Sequence, residues 1–144
     1  MSESFRVARL DPRAVLPTRA YVGDAGLDLY ALDGGTIAAG QRASVPTGIA
    51  VEIPDGQAGL VLPRSGLAAR QGIALVNAPG LIDAGYRGEL KVLLLNTDRA
   101  ADFVYAAGDR IAQLVLVRIE TPQPIEVPAL SDSARGAGGF GSSG

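Results

Sequence analysis

The chain has 144 residues, with 13 Lys and Arg against 15 Asp and Glu for a net charge of −2. That length suits one domain with a real core, and the charge leaves no basic field to hold long nucleic acid. There is no cysteine and no histidine, which excludes disulfides, thiol nucleophiles, Ser-His-Asp triads, histidine acid–base catalysis and the usual ligands of zinc and soft metals.

The opening segment, MSESFRVARL, carries charges where a secretory signal would be apolar, and apolar runs such as VLLL at 92–95 are too short to cross a bilayer. A cytoplasmic protein that engages neither membrane nor nucleic acid is the expectation. Its chemistry must then come from carboxylates, hydroxyls, arginines or a hard, oxygen-liking ion such as Mg²⁺.

In chain order, short apolar runs read as strands at 5–10, 36–37, 43–53, 59–62, 73–76, 89–95, 103–105 and 111–120. Turn signals separate them at Asp33-Gly34-Gly35, Pro54-Asp55-Gly56, Asp83-Ala84-Gly85 and Ala107-Gly108-Asp109. Only 66–71 reads as a helix, with Ser65 in the N-cap place and Gly72 just past the end. The pattern predicts an all-β fold, a sandwich or barrel of jelly-roll type with one short helix, over residues 1–120. At 121 the composition changes: TPQPIEVPALSDSA has prolines at 122, 124 and 128 and reads as an extended, semi-rigid linker over 121–134. The last ten residues, RGAGGFGSSG, include five glycines, and ordering them costs on the order of 10–20 kcal/mol of backbone entropy. This tail reads either as a frayed terminus or as a lid that orders on a ligand, with Arg135 as a phosphate clamp and Phe140 as a face for a base.

Four further segments could carry chemistry. In PRSGLA at 63–68, Arg64, Ser65 and Gly66 stand at a helix start, which is either an ordinary capped turn or a place for phosphate. NAPGLIDAGYRGEL at 77–90 reads as an extended arm, a turn at 83–85 and a strand. Asp83 there is either a turn residue or, with Asn77 and Tyr86, part of a set that could read a base, orient a water and pack on a sugar. AGLDLYA at 25–31 puts Asp28 in a strand-like run, and GDRIAQLVL at 108–116 puts Arg110 and Gln113 at a strand start. A glutamine inside so apolar a strand costs stability unless it is bonded, which marks Gln113 for a network or functional role.

These segments with the tail, in this order, resemble the five motifs of the trimeric dUTPase family, from residue 25 to the last residue. The resemblance implies a jelly-roll chain in a homotrimer whose three active sites are shared between subunits. Motifs one, two and four would come from one subunit and the third from another, with the C-terminal arm, 135–144, swapped in from the last. It implies hydrolysis of dUTP to dUMP and pyrophosphate, which limits uracil in DNA and supplies dUMP for thymidylate synthesis. Asp83 would orient and deprotonate the water that attacks the α-phosphorus. Arg64, Ser65 and Gly66 would contact phosphates, Gln113 phosphate or ordered water, and Arg110 would support that region. Asp28 would hold Mg²⁺ through water. Asn77 and the backbone of Gly80, Leu81, Ile82 and Asp83 would select uracil, Tyr86 would exclude a 2′-hydroxyl, and Lys91 is a weaker candidate for the same pocket. Arg135 and Phe140 would grip the terminal phosphate and the base. The tail departs from the usual pattern only in reading GSSG where a threonine commonly takes the second hydroxyl place.

Two rivals stand beside this reading: the first shares the fold but lacks the fifth motif, and the second is a regulatory protein of the same type. The dCTP deaminases carry a catalytic glutamate on the strand after the third motif, and the matching position in ELKVLLLN is Leu93. A dUTPase-like regulatory module that binds nucleotide without turnover would be expected to lack Asp83 or the arm, and both are present.

Overall fold

A computed structural model of the chain describes residues 4–144. Among them run eleven strands and one helix: β1 (Arg6–Arg9), β2 (Leu27–Tyr30), β3 (Gly35–Ile37), β4 (Arg42–Pro46), β5 (Ile49–Glu52), β6 (Gln57–Leu62), α1 (Ser65–Gln71), β7 (Ile73–Leu75), β8 (Gly80–Ile82), β9 (Lys91–Asn96), β10 (Phe103–Tyr105) and β11 (Arg110–Arg118). They form four antiparallel sheets, in the orders β2-β11-β6-β8, β4-β9-β7, β1-β5 and β10-β3. The mostly-β architecture with one short helix is as expected, but the sheets stay separate and do not close into a barrel.

Alternation along the strands builds the core. In β2, Leu27 and Leu29 face inward while Asp28 and Tyr30 are only partly buried; in β9, Val92, Leu94 and Asn96 turn inward. Each fully buried Leu or Ile, such as Leu29, Leu94, Ile111 or Leu114, contributes about 1.5–3 kcal/mol by leaving water. The buried Asn96 amide donates to the carbonyls of Ile37 (3.0 Å) and Ala101 (2.9 Å) and accepts from the Asp98 N–H (3.0 Å), tying three segments together.

Three local differences from the sequence reading have clear causes. The run 43–53 is two strands, because Pro46 lacks a donor and Gly48 adopts φ +72°, turning the chain from the β4-β9-β7 sheet into the β1-β5 sheet. A Cβ at Gly48 would also crowd Leu32 at 2.9 Å and Ala14 at 3.0 Å. The helix begins at Ser65 itself. Arg64 is the N-cap, with extended backbone (φ −88°, ψ 129°) and no side-chain cap bond, so Ser65 is the first helical residue and its hydroxyl is not used as a cap. Gly72 does end the helix in the left-handed conformation (φ 66°, ψ 30°), its N–H pointing to the Leu67 and Ala68 carbonyls. The extended arm before Asp83 is a strand of its own, β8, added to the edge of β6.

Residues 121–144 carry no helix or strand and are almost wholly exposed. Their hydrogen bonds among the described residues are local, such as Arg135 Nε to the Gly138 carbonyl (2.6 Å) and the Gly136 N–H to Ser133 Oγ (3.0 Å).

Candidate active site

The first, second and fourth motifs converge because β2, β11 and β6 are neighbours. Gln113 on β11 stands opposite Asp28 on β2 and Leu62 on β6. A bulge between Arg110 and Ala112 shifts the register there and leaves the Arg110 side chain beside Asp28. The Asp28 carboxylate, 16% exposed, lies 3.4 Å from Arg64 Nε and 3.7 Å from Arg110 Nη1. Arg64 Nη1 also approaches the Arg110 carbonyl at 3.4 Å. The Gln113 amide donates to the Pro63 carbonyl (2.8 Å), fixing the chain just before Arg64 and satisfying the polar group that the sequence had singled out. A cleft of about 290 Å³ results, lined by Asp24, Gly26, Asp28, Arg64, Ser65, Gly66, Arg110 and Gln113.

Gly26 was not foreseen as a site residue. Its backbone runs so close to Gln113 that a Cβ there would overlap Oε1. Only a contact between residues far apart in sequence reveals this.

The third motif builds a second cleft, of about 510 Å³, lined by Asn77, Leu81, Ile82, Asp83, Tyr86, Lys91 and Leu93, among others. The Tyr86 N–H donates to the Asp83 carbonyl (3.1 Å), closing the expected turn. The Tyr86 hydroxyl donates to the Glu89 carbonyl (2.9 Å), and the ring lies where a Cβ of Gly88 would stand, so Gly88 makes room for it. Gly80 is buried against Val61, beside the Asn77 amide. Asp83 and Asn77 are exposed. Where a deaminase would need its glutamate, Leu93 presents an apolar wall.

The two clefts do not meet within one chain. Ile82 stands opposite Gly59 near the start of β6, whereas Arg64 follows the end of β6 at Leu62. At about 3.3 Å per residue, the three steps from Gly59 to the end of β6 at Leu62 alone span about 10 Å between the Asp83 hairpin and the Arg64 end of the sheet. Arg135 and Phe140 line neither cleft; Phe140 is fully exposed, with φ 50°.

Among the described residues no group of three or more Asp, Glu, His or Cys could cage a metal. The first cleft instead offers the Asp28 and Asp24 carboxylates with two guanidiniums in an open, polar setting. That donor set fits an ion that keeps its waters and takes most of its ligands from a bound polyphosphate.

A mostly-β chain with a small arginine-carboxylate cleft at a strand junction, and a separate hairpin cleft bearing a carboxylate and a tyrosine, offers paired cationic groups to a small anionic ligand. Comparison with known proteins supplies the particular family. The dUTPase family model matches residues 13–144. The chain is 54% identical to the deoxyuridine 5'-triphosphate nucleotidohydrolase of Mycolicibacterium gilvum, covering 100% of this chain and 97% of that protein. It is 59% identical to the same enzyme of Thermobifida fusca, covering 96% and 77% respectively. Among solved structures it is similar to the dUTPase of Staphylococcus bacteriophage 80alpha with dUpNHpp, with TM-score 0.92, 30% identity and 99% of each chain covered. It is also similar to a mutant dUTPase of phage phi11 of S. aureus, whose structure details the coordination of a structural Mg(II) ion (TM-score 0.82, 27% identity, 88% and 98% covered). The chain belongs to the dUTPase family. Among the described residues no helix is long and apolar enough to cross a membrane.

Proposed function

We propose that the chain hydrolyses dUTP to dUMP and pyrophosphate in sites completed between copies of itself. The observation that carries this reading is the β6 register. The carboxylate-bearing hairpin lies near the start of β6 and Arg64 beyond its end, which supports a site to which another copy supplies one half of the chemistry. Three copies is the number that the family resemblance implies, with the exposed C-terminal segment as the piece free to reach a neighbour.

In the assembled site the triphosphate lies in the first cleft. Arg64 and Arg110 draw its oxygens, and Ser65 and Gly66 contact it from the helix start. Asp28 would hold a hydrated Mg²⁺ in this cleft, and that ion would supply charge neutralisation. Asp83 from the facing copy takes a proton from water as the oxygen attacks the α-phosphorus; the bond from that phosphorus to the bridging oxygen breaks and pyrophosphate leaves. A carboxylate suffices as base because positioning and charge stabilisation dominate phosphoryl transfer. Gln113 keeps Arg64 in place through the Pro63 carbonyl and bonds to phosphate or ordered water. Uracil pairs with the Asn77 arm and the backbone from Gly80 to Asp83. Cytosine, with the opposite hydrogen-bond pattern, leaves buried groups unpaired, which is where strong discrimination arises. Tyr86, braced by Gly88 and Glu89, packs on the sugar and leaves no room for a 2′-hydroxyl, while Lys91 borders the same pocket. Arg135 and Phe140 close over phosphate and base. The reaction removes dUTP, limiting uracil in DNA, and yields dUMP for thymidylate synthesis.

Pyrophosphate release with Mg²⁺ from dUTP, dCTP, dTTP and UTP, beside an Asp83→Asn variant, tests the reading. Release from dUTP alone is expected, falling by about 10²–10⁴-fold in the variant, the range for loss of a positioned base. Consumption of dCTP, or full rate in Asp83→Asn, would overturn it.

A further inference from the structure

Asp83 projects from the backbone of its turn, so whatever holds that turn sets the position of its Cβ and the range its carboxylate can reach. The turn's internal bond is the single Tyr86 N–H to Asp83 carbonyl contact. The next residue supplies an external one. Arg87 Nη1 donates to the Ala84 carbonyl at 2.6 Å and to the Tyr86 carbonyl at 3.2 Å, gripping both sides of the turn. Its Nη2 lies 3.5 Å from Glu52 Oε1, at the end of β5. The other Glu52 oxygen lies 3.8 Å from Arg6 Nη1, and Arg6 and Glu52 are register partners in the β1-β5 sheet. Neither Arg87 nor Glu52 lines the cleft that holds Asp83; they line a separate cavity on the β1-β5 side.

We infer that Arg87 is a positioning residue for the reaction, fastening the Asp83–Tyr86 turn to the β1-β5 sheet through Glu52. The inference rests on the proposed role of Asp83. The side chains are 56% (Arg87) and 43% (Glu52) exposed, and an ion pair in that setting contributes little to folding. Two bonds from one planar guanidinium to carbonyls of the same turn, with the carboxylate behind it limiting its rotation, instead restrict how the turn rotates on β8. Catalysis is sensitive to shifts of an ångström, so orientation is what this tether governs.

The test uses the full chain with Arg87→Ala, Arg87→Lys, Glu52→Gln and the double variant Arg87→Ala/Glu52→Gln. It reads kcat and KM on dUTP, the Tm, and hydrogen exchange of the Tyr86 amide. Arg87→Ala is expected to lower kcat about 10-fold with KM and Tm nearly unchanged. It is also expected to speed exchange at Tyr86. Arg87→Lys recovers only part of the rate, since a point charge cannot serve two carbonyls and a carboxylate together. Glu52→Gln gives a smaller loss of kcat, and the double variant is no worse than Arg87→Ala. Unchanged kcat in Arg87→Ala, beside an active wild type, overturns the inference. So does a loss carried by KM with Glu52→Gln silent, which would mean Arg87 touches substrate, or a fall in Tm large enough to explain the rate. Exchange at Tyr86 is read whether or not the wild type turns over dUTP, and unchanged exchange overturns the tether by itself. An inactive wild type instead counts against the function proposed for Asp83.

Discussion

Gly26 and Gln113 show how closely the first cleft is fitted. The glutamine amide donates to the Pro63 carbonyl and its oxygen sits where a Cβ of residue 26 would be, so any larger residue there must push the Gln113 amide aside. Gly26→Ala is expected to displace Gln113 and loosen Arg64, costing about 1–3 kcal/mol in overpacking. Turnover of dUTP should fall accordingly, and adding Gln113→Ala should cost little more, because the misplaced amide is already lost. If Gly26→Ala matches wild type in rate and Tm, the close approach carries no consequence. At this scale the sequence was readable where a residue broke its local pattern, as Gln113 did in an apolar strand. Gly26, one glycine among nineteen, and Arg87, one surface cation among thirteen Lys and Arg, gave no such sign. Their roles depend on contacts with residues 113 and 52, which no local pattern records.

Among the elements, strand punctuation carried most of the fold. Alternating burial and Gly or Pro at the breaks made β6, β9 and β11 legible, while tertiary demands decided the rest. The chain turns at Gly48 because the β1-β5 sheet needs it there, and β8 becomes a strand only because β6 offers an open edge. Ser65 carries the composition of a cap but follows the residue whose backbone does the capping. The C-terminal segment was legible as an element without structure of its own. Its exposure and purely local hydrogen bonds mean that removing residues 135–144 should leave the Tm nearly unchanged. On the proposed function it should lower kcat/KM for dUTP by about 10²-fold, the sum of one phosphate clamp and one stacking contact. A large fall in Tm would show that the segment supports the fold; an unchanged kcat/KM would show that it does not serve the site.

For the whole molecule, the placement of Asp83 and Arg64 beyond opposite ends of β6 matters more than any single contact. Asp83→Asn and Arg64→Ala should each be nearly inactive alone. Mixed in equal amounts and allowed to exchange subunits, they should regain about a quarter of wild-type activity, the share of sites that by random pairing take Arg64 from one chain and Asp83 from another. No recovery, in assemblies shown to contain both variants, would sink the shared-site reading. Strand pattern and composition would suit a monomer equally, so the expectation of sites shared between copies came from the family motifs alone.

The distance between the two clefts also bears on when the protein first works. On the shared-site reading, a newly made chain folds with one half of the machinery at each end and is inert toward nucleotide. Catalytic power is acquired on assembly, so it rises more steeply than the number of chains when copies are scarce. Dilution then acts as an off-switch that needs no inhibitor and no modification.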